Sequence, residues 1–329
     1  VVFTGHASQT PNNPYKSSLD CGACAGNPGG PNARILAAIC NEASVREALR
    51  EEGIDIPEDT VFLAAEHNTT TDEVELYADG PKPGVSEEQL ERLRADLDAA
   101  RRATSRERVR SMNASVDPGS SDSGVRETLR RAGDWAETRP EWGLARNASF
   151  IIGPREITEG IDLDGRSFLH SYDWRTDTDG TALENIMTGP LVVGQWINAQ
   201  YYFSTVDNAA FGSGSKVTQN VVGKVGIYQG NGSDLMSGLP LQSLNWSDDR
   251  IFHRPLRLTA VVHAPRKRIH AVVRRHTTLL RFFHNEWVHL IAIDPTEQDS
   301  FLRYRSDGTW QPYAPVAGRT EARPPAASS

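Results

Sequence analysis

Two residue types that bind zinc stand close together near the start of this chain. The apolar run Val1-Val2-Phe3-Thr4 ends in Gly5-His6, and fifteen residues after the histidine comes Cys21-Gly22-Ala23-Cys24. Imidazole and thiolate are the ligands zinc prefers, and a strand end followed by a glycine-rich turn can hold them rigidly. A catalytic zinc takes three protein ligands and keeps a fourth position open, so His6 and Cys21 would be part of such a set. Cys24 could complete a local structural site with His6 and Cys21, or form a redox pair with Cys21, because Cys-x-x-Cys serves both chemistries. The preferred reading is a packed, non-ligating Cys24, with Cys40 in a helix core. Without metal, Cys21 as nucleophile and His6 as base would make a thiol enzyme. His67 and Asp72 fall at another strand end, where α/β proteins place ligands, and hydrogen bonding within the turn explains them equally well.

Other motifs fail on spacing. Asp177-Thr178-Asp179-Gly180 suggests a calcium loop, but the first ligand position holds Arg175 and the twelfth Ile186. Gly212-Ser213-Gly214-Ser215-Lys216 lacks the four-residue spacing of a phosphate loop. The run 251–285 carries eight Lys or Arg, five His and no acid, against an overall charge of −8. A solvated helix face is the default for such a run, and docking to an acidic partner or to anionic lipid headgroups is the functional alternative.

The elements that must position these residues alternate. Val1 to Thr4 predicts a buried strand, and Pro31 after a double glycine starts a helix that continues or restarts through 45–49 and ends at Gly53. Strands are predicted over 60–65 and 74–77, which makes a βαβ order and a mixed or parallel sheet with flanking helices. Ser86 can cap a long exposed scaffolding helix over 87–110, with leucines at 90, 93 and 97. Residues 115–125 are rich in Ser, Gly and Pro and read as a mobile linker. Beyond a strand near 148–152, seven glycines between 201 and 238 leave little room for regular helix. A strand at 256–262, a helix at 267–284, a strand at 287–293 and a hairpin at 302–313 follow, and 314–329 is predicted disordered. The fold class is therefore α/β, with a second α/β region over 126–313.

At 329 residues, with 38% hydrophobic and 24% charged side chains, the chain has an ordinary globular composition. Its acidic balance argues against nucleic acid as a partner, and its apolar runs are too short to cross a bilayer. Three cysteines suit a reducing, cytoplasmic compartment.

The ordered blocks Gly5-His6-Ala7-Ser8, Asp20-Cys21-Gly22-Ala23-Cys24-Ala25-Gly26, Gly29-Gly30-Pro31-Asn32-Ala33-Arg34, Thr71-Asp72-Glu73-Val74, Phe168-Leu169-His170-Ser171-Tyr172-Asp173, Tyr201-Tyr202-Phe203-Ser204 and Gly238-Leu239-Pro240-Leu241-Gln242-Ser243 resemble the DabA family. That family is the large soluble subunit of two-component bacterial inorganic-carbon accumulation complexes. The resemblance implies a β-carbonic anhydrase-like zinc core, with its C-terminal half in 1–114. It implies zinc held by Cys, His and Cys with a nearby Asp, His6 and Cys21 being the second and third protein ligands. The first Cys and the Asp lie in a Cys-x-Asp-x-Arg segment that does not occur here, and the first residue is not Met. The expectation is that this is the C-terminal part of a longer or split polypeptide and has no carbonic anhydrase activity alone. The resemblance further implies hydration of CO2 to bicarbonate, coupled to a cation gradient through a membrane-embedded, proton-pump-like DabB-type partner, with this chain peripheral at the cytoplasmic face of the membrane.

Overall fold

A computed structural model describes residues 1–8, 27–77, 84–112, 122–134, 146–215, 219–222, 226–229, 235–236, 238–247 and 250–313. The first strand, β1 (Val2–Ala7), is followed by α1 (Gly30–Asn41) and α2 (Ala43–Glu51), which the extended Glu42 separates. Gly53, at φ +84°, ends α2 in a conformation that glycine adopts without a side-chain clash. Next come β2 (Leu63–Asn68) and β3 (Glu73–Tyr77). β2 starts later than the apolar run predicts, because side chains occupy the backbone ahead of it. Asn41 bonds both the N–H and the C=O of Phe62, and Arg46 Nη2 donates to the Thr60 carbonyl at 2.6 Å.

The long helix α3 (Glu87–Met112) begins with a reciprocal cap: the Ser86 N–H donates to Gln89 Oε1 at 2.8 Å, and the Gln89 N–H to Ser86 Oγ at 3.2 Å. Leu90 is buried, Leu93 and Leu97 are half-buried, and Ser105 and Val109 are buried further along the helix. α4 (Ser123–Gly133) packs on α3, where Gly124 meets the Arg106 backbone so closely that a Cβ would stand 2.6 Å from Arg106 Cα. Residues 113–121, most of the predicted linker, are outside the described residues; 123–125 belong to α4.

Further along are β4 (Ser149–Gly153), β5 (Ser167–Ser171), α5 (Thr181–Thr188) and α6 (Pro190–Val206). α6 carries the aromatic run Tyr201-Tyr202-Phe203 inside helix, against the expectation that 201–238 would leave little regular helix. The glycines responsible for that expectation begin only at Gly212. After α7 (Asn208–Phe211) come the small strands β6 (Gln219–Val222), β7 (Gly226–Gln229) and β8 (Leu235–Met236), then α8 (Leu241–Leu244), β9 (Asn245–Ser247) and β10 (Arg250–Ile251). The chain continues with β11 (Thr259–His263), α9 (Arg266–Arg275), α10 (Thr277–His284), β12 (His289–Asp294), β13 (Ser300–Tyr304) and β14 (Trp310–Pro312). One helix was expected over 267–284. His276 breaks it, extended at φ −121° and ψ 113°, with its ring nitrogen 2.5 Å from Glu184 Oε1.

These elements form two compact units, Val1–Arg146 with Ala199–Pro255, and Asn147–Asn198 with Leu256–Ser329. The first holds a mixed sheet of order β1-β2-β3, in which β1 and β2 are parallel and β3 antiparallel. α1 lies on it through the small residues Gly30, Ala33 and Ala37, leaving Ile35, Leu36 and Ile39 at 60%, 45% and 43% exposure. Cys40, expected in the helix core, is half-buried instead, because the small residues one turn apart are the ones that face the sheet. The second unit holds a six-stranded sheet of order β14-β13-β12-β11-β4-β5, its four strands β5, β4, β11 and β12 parallel. Ile152, Val262 and Ala292 from those strands, Leu183 and Met187 from α5, and Val272 and Phe283 from α9 and α10 belong to one buried cluster.

Candidate functional site

His6 stands at the carboxyl end of β1, one residue before the strand stops, and its side chain is exposed. In parallel α/β sheets that end is where ligands are placed. Three glycines bring the chain back to it. The Gly29 N–H donates to the His6 carbonyl at 2.7 Å, and a Cβ on Gly29 would sit 2.9 Å from the His6 nitrogen. A Cβ on Gly5 would overlap the Gly29 carbonyl carbon outright, and one on Gly30 would overlap the Glu66 carboxylate. No residue but glycine admits backbones this close. Gly5-His6 and Gly29-Gly30, which the sequence marks only as turn residues, are therefore a single backbone crossing.

Glu66 secures the crossing from β2. Its Oε2 accepts the Gly30 N–H at 2.9 Å, satisfying a donor in the first turn of α1 with a carboxylate at the positive end of the helix. Burial raises the Tyr77 hydroxyl above its ordinary pKa, and the nearby charges of Glu66 and Glu75 add to the rise. Alongside His6, a cleft of about 670 Å³ is lined by Thr4, His6, Asn27, Gly29 and Asn32 on its polar side, with Phe3, Ala33 and Leu36 giving apolar wall.

The register of β1 and β2 pairs His6 with His67, so both imidazoles leave the same face of the sheet. Sequence reading left His67 and Asp72 open between ligand and turn roles, and the structure joins them to each other. His67 Nε2 lies 3.2 Å from Asp72 Oδ1, and Arg108 Nη1 of α3 donates to Asp72 Oδ2 at 2.5 Å. Asp72 is buried and holds φ +55°, a left-handed turn position that aspartate tolerates better than most residues. Arg108 comes from a helix expected only to be scaffolding, and no local motif marks it.

Cys21 and Cys24 lie outside the described residues. Among the described residues no three His, Cys, Asp or Glu side chains converge as a metal site. The described part of the site therefore offers one imidazole, His6, at a cleft mouth, and zinc would need Cys21 and further donors to complete its set.

A second cluster, which sequence reading did not single out, lies at the carboxyl edge of the larger sheet. His263 ends β11 against Gly153 of β4, at the point where the strand order reverses, and its Nε2 is 3.2 Å from Asp299 Oδ1. Nearby, hydrogen bonds from Arg175 hold the Asp173 carboxyl down at about 2.

A family model described as "Probable inorganic carbon transporter subunit DabA" matches residues 1–288. Curated proteins with that same description are similar throughout. The one from Salinibacter ruber is 65% identical over 328 residues, covering 100% of this chain and 40% of the relative. That from Haloarcula marismortui is 60% identical over 326 residues, with 99% and 40% covered. That from Legionella pneumophila strain Philadelphia 1 is 55% identical over 310 residues, with 94% and 40% covered. The chain thus spans about 40% of the length of these relatives.

Proposed function

This chain belongs to the DabA family, and from that premise we propose that it is part of an inorganic-carbon transport subunit that hydrates CO2 to bicarbonate at a zinc held in part by His6 and Cys21. The single observation that carries this reading is the exposed imidazole of His6 at a parallel strand's carboxyl end, against a glycine crossing and beside a cleft. Among the described residues no helix is long and apolar enough to cross a membrane. A separate membrane-embedded partner of the DabB type would supply the coupling to a cation gradient, with this chain docked on it at the cytoplasmic face.

Zinc in such a site supplies Lewis acidity, which makes hydroxide available from water near neutral pH. The chain's own residues prepare the place. His6 contributes a neutral nitrogen donor, fixed by the Gly29 hydrogen bond to its carbonyl and by the ladder with β2. Phe3, Ala33 and Leu36 give the cleft an apolar wall that accommodates uncharged CO2 without a desolvation penalty. The Asp72 and Arg108 pair fixes the ring of His67 beside it, so that side of the site is preorganised.

The test is metal content of the full-length polypeptide with its partner. One zinc per polypeptide is expected, lost on His6→Ala and on Cys21→Ala alike, together with CO2-concentrating growth support. Zinc retained by both variants sinks the reading. Zinc lost while growth support persists would reduce the metal to a structural part of an interaction module.

A further inference from the structure

We propose that the solvent face of α9 and α10 is a docking surface for anionic phospholipid headgroups. Both helices bury one face in the second unit, through Ile269, Val272 and Val273 in α9 and Leu279, Phe282 and Phe283 in α10. Outward they present Lys267, Arg274, Arg275, Arg281 and His284 beside the uncharged Ala271, Thr277 and Thr278, and no Asp or Glu occurs from 251 to 285.

Within this set the cations divide in two. Arg266 pairs with Glu297 at 2.7 Å, Arg268 donates to the Trp174 carbonyl at 2.7 Å, and Arg275 and His276 share Glu184. These are committed inside the protein. Lys267, Arg274 and Arg281 are different: each is exposed, and none has an ion pair or side-chain hydrogen bond among the described residues. They recur at seven-residue spacing, which keeps Lys267 and Arg274 on one face of α9, and Arg281 follows on α10. Trp287, just past α10, is 49% exposed, and an indole of that kind suits the headgroup layer of a bilayer.

A chain with a net charge of −8 gains nothing in solubility from three cations left unneutralised. A plane of phosphates matches such cations without one-to-one placement of partners, whereas an acidic protein surface would need matched positions. A subunit of a transporter would work beside that plane. The inference rests on family membership and not on the zinc reading.

Full-length polypeptide is mixed with vesicles of phosphatidylcholine alone, or of equal parts phosphatidylcholine and phosphatidylglycerol, and sedimented. Binding to the mixed vesicles only is expected, weakening as salt rises. With each cation near the surface contributing about five-fold, the triple variant Lys267→Gln, Arg274→Gln, Arg281→Gln should bind roughly a hundred-fold more weakly. Its thermal melt should match the parent, as should its zinc content. The control variant Arg92→Gln, Arg110→Gln, also at exposed arginines, should bind like the parent. Equal binding to both vesicle types, or triple-variant binding equal to the parent, overturns the proposal. So does loss of assembly with the membrane subunit in detergent without any vesicle binding, which would assign the face to an acidic protein surface.

Discussion

Gly5 and Gly29 touch backbone to backbone: a methyl group on Gly5 would occupy the space of the Gly29 carbonyl carbon. The contact joins the strand that carries His6 to the turn that starts α1, so neither can shift alone. Gly5→Ala should destabilise the first unit by about 3 kcal/mol or more, since the clash is with backbone and no side chain can rotate away. Gly53→Ala is the contrast. Nothing lies within 4 Å of its added carbon, and only φ +84° opposes it, so about 1 kcal/mol is expected. Chemical denaturation of the two variants checks the difference in size.

Asp72→Ala removes a buried acceptor from two groups at once, leaving Arg108 and His67 without it. A loss of about 2 to 3 kcal/mol is expected, because Arg108 is partly reached by water and recovers some solvation. Asp72→Asn should cost less, since asparagine tolerates φ +55° and keeps an acceptor. Equal melting temperatures for the two variants would contradict the assignment.

Alkaline pH should weaken the second unit through Tyr172. Burial pushes this phenol up to about 12, with Asp177 adding to the rise and Arg268 opposing it. An unfolded tyrosine loses its proton near pH 10, so between about 10 and 12 the folded chain holds a proton that the unfolded chain has lost. Stability is full below 10 and falls by about 2 to 3 kcal/mol as pH climbs through that window. Tyr172→Phe should flatten this limb in urea titrations across the range.

Acid should act on the same network from the other side. Burial works to raise Asp177, yet the Ala182 and Leu183 N–H groups and the Tyr172 hydroxyl outweigh it and hold the carboxyl below its usual range. Its contribution is present above the ordinary carboxylate pKa and is lost as pH falls through the depressed one. Asp177→Asn should remove that acid-sensitive part and lower stability at neutral pH by about 1 to 2 kcal/mol, measured by urea unfolding at pH 7 and pH 4.

Much of the fold was legible because its signals are local. Val2 and Phe3 announce β1, Ser86 announces the start of α3, and the apolar runs near 150, 260 and 290 announce the parallel strands. The parts that escaped depend on distant partners. Glu66 reaches Gly30 across 36 residues, Arg108 reaches Asp72 across 36, and His276 is drawn out of helix by Glu184 across 92. No periodicity encodes such pairs. His6 was legible as a strand-end residue from its place after an apolar run, while the nearness of Gly29 to it was not, because the tolerance of glycine for contact becomes visible only when the contact is known.

The thin seam under α1 has a consequence for handling this protein. A helix that meets its sheet through glycine and alanine leaves two isoleucines and a leucine exposed on the other side. Left bare, that oily ridge would glue one molecule to the next as concentration rises. Charged substitutions at Ile35 and Ile39 should therefore raise the yield of monodisperse material, and light scattering would reveal the difference before any assay of chemistry.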